Sequence, residues 1–249
     1  MLELAHGAST PAVPAAMRAP RFGRAAAFLN KLMFLGYRLR KKHRYDEFLL
    51  EWVDGVPLLV LPSVFNPKLL LTGAFFASQL RAHPFPPDAE VLDMGTGSGV
   101  CAVFAAKYAR RVVAVDINSA AVRCASINAL MNGLENRLEA RHGDLFAPVP
   151  AERFDLVLFN PPFLRGVPRN DRDRAWRSSD VPERFAAQLG AHLKPSGCAL
   201  VLLSTFGGAE DFLGEFRRHG FDISLFAERR FIAETVAIFK LTPPQPHRS

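Results

Sequence analysis

The sequence predicts an α/β protein built on a doubly wound, seven-stranded, mostly parallel sheet. Three observations carry that expectation. From residue 89 onward, short apolar runs alternate with longer helical stretches, a pattern that builds a parallel sheet covered on both faces. A glycine-rich turn, VLDMGTGSGV at 91–100, joins the first of these runs to the first helix. Polar residues mark the ends of the next three runs, at Asp116, Asp144 and Asn160.

Taken in order, residues 1–21 are rich in Ala and Pro and read as a flexible tail. They lack the charged and apolar regions of a secretory signal, and their Ala/Arg-rich, acid-poor composition bears a faint likeness to an organellar transit peptide. Residues 22–44 read as a helix whose basic C-terminal end suits the helix dipole. Two apolar runs then flank Asp54-Gly55, a hairpin signal. Helix and hairpin together make an extension over 22–61, ahead of a main domain at 62–242 and a short tail at 243–249. Within the main domain a helix is expected at 66–82. Strands follow at 90–94, 111–116, 137–142, 154–159, 198–204, 221–226 and 234–241. Helices fall between them near 99–109, 118–131, 181–192 and 208–219.

The 249 residues are 49% hydrophobic and 22% charged, enough apolar material for a sizeable core. No apolar run reaches the roughly 18 residues that span a bilayer. Cys101, Cys124 and Cys198 form no CxxC pair, which argues against a zinc site or disulfide framework and fits a reducing, cytoplasmic compartment. No metal is expected. The net charge is +7, but the first 50 residues hold +6 of it, so the basic character does not belong to the main domain's surface.

The turn at 91–100 is spaced G-x-G-x-G, through Gly95, Gly97 and Gly99. Such a turn admits a ligand close to the backbone and points helix N-terminal N–H groups at it. A dinucleotide fingerprint wants its third glycine one residue later. Asp93 precedes the turn, and a carboxylate there favours a cationic ligand over a pyrophosphate. The plain alternative is a tight strand–helix turn with no ligand. Asp116 lies 21 residues past Gly95 at a strand tip, where a carboxylate can accept both ribose hydroxyls. It can equally cap the next helix. Asp144, in Gly143-Asp144-Leu145, can accept from an exocyclic adenine amine, or serve as a turn residue.

The fourth motif is FNPPF, Phe159 to Phe163. Two prolines fix the backbone and remove its donors. The Asn160 side-chain oxygen and the Pro161 carbonyl form a pair of acceptors suited to an –NH2 group, and Phe163 can stack on a planar one. The alternative is a rigid turn with a satisfied Asn and a core Phe. His142 could be a general base or a structural histidine at a strand end.

In this order the motifs resemble the class I S-adenosylmethionine-dependent methyltransferases, within them the families carrying (N/D)-P-P-(Y/F/W). Ala175-Trp176, PERF at 182–185, HLKPSGCALVL and the terminal AETVAIFKL are similar to the release-factor-type protein glutamine N-methyltransferases. The resemblance implies a Rossmann-like sheet ordered 3-2-1-4-5-7-6 and S-adenosyl-L-methionine as donor. It implies a donor site of Asp93, Gly95, Thr96, Gly97 and Gly99, joined by Asp116, Ile117, Asp144, Leu145 and Asn160. It implies a catalytic corner of Asn160, Pro161, Pro162 and Phe163, and a substrate loop including Arg165, Arg172 and Trp176. The acceptor it implies is a protein glutamine, with a translation factor as partner. An exocyclic amine of a nucleic-acid base, or a small molecule, is the alternative. Three departures stand out: VFNPKLLLTG at 64–73 keeps Pro67 and Thr72 but lacks the family's acid, Phe163 replaces a usual Tyr, and the loop at 165–177 carries five arginines.

Overall fold

A computed structural model describes residues 47–68, 72–83, 85–169, 171–205, 207–231 and 234–244. The expected tail and basic helix over 1–44 lie outside the described residues, as does the side chain of Arg172.

The chain enters through a hairpin, β1 (Leu49–Val53) and β2 (Val56–Val60), paired in register from Leu49–Val60 to Val53–Val56. Asp54 and Gly55 close it with φ of 44° and 80°. Two consecutive positive φ values give the turn whose twist matches the strands. Helix α1 (Thr72–Ala82) follows. The sequence suggests a start at 66, but Asn66 instead opens a turn, its Oδ1 accepting from Lys68 N–H at 2.9 Å.

The main sheet then forms from β3 (Glu90–Met94), β4 (Arg111–Asp116), β5 (Leu138–His142), β6 (Phe154–Phe159), β9 (Leu193–Ser204), β10 (Asp222–Arg230) and β11 (Thr235–Thr242). Two short strands between them, β7 (Leu164–Arg165) and β8 (Arg177–Ser178), pair only with each other. The order across the sheet is β5-β4-β3-β6-β9-β11-β10, which in chain order of the seven strands is 3-2-1-4-5-7-6. β11 runs antiparallel to both neighbours, and the pairs from β5 to β9 are parallel.

Alternation along the strands sends side chains to two apolar layers. Val112 and Ala114 pack with the hairpin, α1 and α2 (Val100–Ala106). Val113 and Val115 pack with α5 (Val181–Leu189) and α6 (Ala209–Arg218). Helix α3 (Ser119–Met131) covers the first layer beside β2, and α4 (Asp171–Arg174) is a single turn in the loop after β7. The strand expected at 198–204 is longer, because Leu193–Gly197 joins it through an irregular step opposite Phe154–Leu156. Gly197 permits that step: a Cβ there would sit 2.7 Å from the Phe154 carbonyl oxygen.

Candidate active site

The parallel order β6-β3-β4-β5 brings four loop starts to one edge of the sheet, where ligands of doubly wound folds bind. Backbone bonds tie the tips together: Thr96 N–H donates to the Val115 carbonyl at 3.0 Å, and Gly143 N–H to the Asp116 carbonyl at 3.0 Å. A cavity of about 250 Å³ opens at this edge.

The glycine turn needs its glycines. Gly95, Gly97 and Gly99 have φ of 64°, 56° and 81°, the left-handed region that costs other residues most. Gly99 is further confined, since a Cβ would lie 2.9 Å from Ala125 Cα in α3. Gly99→Ala is therefore expected to destabilise the fold by about 1–3 kcal/mol from backbone strain alone. Urea denaturation of that variant checks the loss.

Asp93 is buried beneath the turn. Its Oδ2 accepts from Thr96 Oγ1 at 2.6 Å and from Ala102 N–H at 3.0 Å. Burial pushes its pKa up to about 7, against the lowering effect of those two bonds. Asp116 accepts from Gly97 N–H at 2.9 Å through Oδ2 and from Asn118 N–H at 2.8 Å through Oδ1. Burial raises its pKa as well. It is not the helix cap: that role falls to Asn118, whose Oδ1 accepts from Ala120 N–H. Asp144 is ion-paired with Arg184 of α5 at 2.6 Å. Leu145 beside it holds a φ of 48°. Gly143 leaves no room for a Cβ, which would approach Pro148 Cγ at 2.2 Å.

At the tip of β6, Asn160, Pro161, Pro162 and Phe163 all line the cavity. Asn160 Oδ1 is buried with no hydrogen-bond partner among the described residues. A buried acceptor left unpaired is costly, so this atom marks a place where a donor is missing. The corner is held from behind by Gly208, whose N–H donates to the Phe163 carbonyl at 2.8 Å.

Nine of the ten residues expected at the donor site line this one cavity, Ile117 among them with 40% exposure; Gly99 does not, and packs against Ala125 of α3 instead. The arginine loop divides. Trp176 lines the cavity and meets Phe65 edge-on, ring centroids 5.4 Å apart. Arg165 does not line it. Its guanidinium bonds Asp211, Glu183 and the Ser179 carbonyl at 2.7–3.0 Å, and so clamps the loop to α5 and α6. Arg177 Nη1 donates back to the Arg165 carbonyl at 2.8 Å. His142 Nε2 donates to the Ile117 carbonyl at 2.9 Å, away from the cavity, and serves to join two loops.

The resemblance pointed to 64–73 through Pro67, and the structure brings Ser63, Val64, Phe65 and Pro67 after β2 to the cavity wall; the motif reading missed Arg184. Asn128 and Asn132, one helical turn apart in line with the small buried residues Ala121, Cys124 and Ala125 of α3, were the available signal that this wall is fastened to that helix.

Sheet order, glycine turn and polar strand tips define a Rossmann-like methyltransferase-type domain. The chain belongs to the methyltransferase small domain family, whose model matches residues 56–220. Among curated relatives, it is 34% identical to a ribosomal RNA small subunit methyltransferase C of Alcanivorax borkumensis, over 55% of this chain and 39% of the relative. It is 32% identical to a release factor glutamine methyltransferase of Koribacter versatilis, over 64% of this chain and 66% of the relative. The match thus spans well under half of the first relative and about two thirds of the second. Among solved structures, a ribosomal protein L11 methylase of Lactobacillus delbrueckii shares the fold with a TM-score of 0.54 at 20% identity, over 75% of this chain and 84% of that one.

Proposed function

We propose that the chain is an S-adenosylmethionine-dependent N-methyltransferase acting on a planar, conjugated nitrogen, and that a protein glutamine side chain owns that nitrogen. The observation that carries this reading is the unpaired Asn160 Oδ1 on the cavity wall. With the Pro161 carbonyl it offers two acceptors to an –NH2 group, and no backbone N–H competes at either proline.

The cavity fits the donor by the chemistry of its walls. Asp93 at the turn suits a cationic amino acid moiety, Asp116 suits ribose hydroxyls, and Asp144 with Leu145 suits an adenine ring. S-adenosylmethionine supplies a methyl group already activated on a sulfonium. The chain's own task is positioning, which can contribute about 7–11 kcal/mol when reacting atoms are held in line. Asn160 and Pro161 hold the acceptor –NH2 and stabilise the positive charge that develops on nitrogen during attack. Phe163 keeps the acceptor plane fixed. The nitrogen gains the methyl group and gives up one proton to solvent.

A release factor glutamine methyltransferase among the relatives supports a protein acceptor, as does Arg165 of the arginine loop. Arg165 is committed to Glu183 and Asp211 and does not line the cavity, which leaves it poorly placed for phosphates there, whereas Arg174 and Arg177 do line it. A protein substrate from the translation apparatus is compatible with a cytoplasmic reaction. The second reading, an exocyclic amine of a nucleic-acid base, is favoured by the ribosomal RNA methyltransferase among the relatives. Transfer of a tritiated methyl group to a cell extract, fractionated into protein, RNA and small molecules, separates them. Labelled methylamine released from the side-chain amide by acid hydrolysis of the protein fraction supports the first. Label in RNA whose formation collapses between low and moderate salt supports the second.

A further inference from the structure

Helix α3 carries a fully buried amide that does not itself line the cavity. Asn128 has no solvent exposure and lies 69 residues from its main partner. Its Oδ1 accepts from Leu59 N–H at 2.7 Å, and its Nδ2 donates to the Leu59 carbonyl at 2.7 Å. The side chain thus pairs with both backbone groups of one strand residue, as a neighbouring strand would. Its second N–H goes to the Ser98 carbonyl at 2.8 Å. Ser98 sits between Gly97 and Gly99 in the cavity-lining turn. One side chain therefore binds β2 of the hairpin and the glycine turn at once.

The surroundings make the connection rigid. Cys124, one turn earlier, donates to the same Leu59 carbonyl at 3.1 Å. Asn132, one turn later, donates to the Pro57 carbonyl at 3.0 Å. On the other side Ala125 backs directly onto Gly99. Past β2, the chain runs straight into Ser63, Val64, Phe65 and Pro67 of the cavity wall. Asn118 Nδ2, at the start of α3, holds the Ser63 carbonyl at 3.2 Å.

We infer that Asn128 is a positioning residue for the methyl donor: it locks the hairpin to the glycine turn, so that the wall at 63–67 and the turn close on the donor as one body. The inference rests on the donor reading of the cavity. Its consequence is a coupling. Donor binding tightens the bond network at Leu59, and loss of that network weakens donor binding by the same factor. Asn128 acts on affinity, not on the transfer step, because it reaches neither Asn160 nor the acceptor corner.

The test compares Asn128→Ala and Asn128→Asp with Asn132→Ala. The Asp side chain keeps an acceptor for Leu59 N–H but faces two carbonyls with no donor. Asn132→Ala removes a bond at the same helix–hairpin contact without touching the turn. Calorimetry with S-adenosylhomocysteine is expected to show affinity lowered about tenfold or more for both Asn128 variants, within the usual range of coupling between sites. Asn132→Ala is expected to stay within about twofold of the parent, because its side chain bonds the hairpin and the Asn128 carbonyl but not the glycine turn. Turnover at saturating donor is expected to stay within about twofold for folded Asn128 variants, so that the change falls in KM for donor. Hydrogen exchange on the unaltered protein supplies a reading that needs no variant. S-adenosylhomocysteine is expected to slow exchange of the Leu59 amide more than that of Phe239, in β11. A folded Asn128→Ala protein with parental donor affinity, or equal slowing at Leu59 and Phe239, overturns the coupling. An unaltered protein that binds no S-adenosylhomocysteine overturns the donor reading, and the coupling with it.

Discussion

Asn160→Ala is expected to bind S-adenosylhomocysteine about as tightly as the parent protein and to lose about two to three orders of magnitude in kcat, the usual loss when one preorganised polar contact to a developing charge is removed. The expectation follows from what the side chain does before any ligand arrives. Asn160 Oδ1 is buried and unpaired, while the carboxylates of Asp93 and Asp116 are already bonded to the turn they support. The turn therefore keeps its shape when Asn160 is shortened. The lost atom is one that only the acceptor would satisfy. Asn160→Asp is a sharper variant, since it retains an acceptor of similar reach but places a negative charge in a buried site. Its pKa should rise through burial, and activity should recover partly as pH rises and the carboxylate ionises. Calorimetry and a single-turnover methyl-transfer assay separate the two properties. Donor binding that collapses in Asn160→Ala, with full turnover per bound complex, would place the residue in the donor site and remove it from the acceptor corner.

The sheet and the strand-tip motifs that line the cavity were legible because each is written locally. A strand's period, a positive-φ glycine and a terminal carboxylate can be read within a few residues, and parallel pairing then carries separate tips to one edge. The hairpin was legible for the same reason, as Asp54-Gly55 states its own turn. What could not be read was which polar groups would find partners inside the protein. Arg165 is a cation in a basic loop, and nothing near it in sequence announces Glu183 or Asp211, 18 and 46 residues away. Asp144 likewise meets Arg184 only because α5 packs beside β5's loop. The wall at 63–67 depends on contacts between β2 and α3 that span about seventy residues. These are tertiary facts. A helix residue such as Asn128 carries only the weak sign that an amide occupies an otherwise small and apolar face.

The ionisation of Asp93 gives the donor site a pH dependence whose sign can be worked out. Burial raises its carboxyl to about 7, so below that pH the folded protein holds a neutral acid under the glycine turn. A donor with an ammonium and a sulfonium favours the ionised form. Binding must then release a proton, and affinity should rise about tenfold per pH unit up to about pH 7 before levelling. Asp116, also raised by burial, adds in the same direction. Stability without donor runs the other way. An unfolded Asp loses its proton near 4, whereas Asp93 keeps its own until about 7. Across that interval the unfolded chain binds fewer protons than the folded one, so stability falls as pH rises. The carboxylates of Glu152, Asp155 and Glu183 are lowered instead. Their contribution is complete above the unfolded carboxylate range and is lost only below it, so they do not mask the Asp93 window. Calorimetry of S-adenosylmethionine binding in buffers of different ionisation enthalpy measures the released proton directly. Asp93→Asn should abolish most of the release and flatten the decline in thermal stability between about pH 5 and 7. Affinity that stays constant from about pH 5.5 to 8 in the unaltered protein, with no proton released, means that Asp93 does not face the donor's charge. The glycine turn would then owe its acid to holding Thr96 and the first turn of α2, a structural office that the bonds to Thr96 Oγ1 and Ala102 N–H are sufficient to fill.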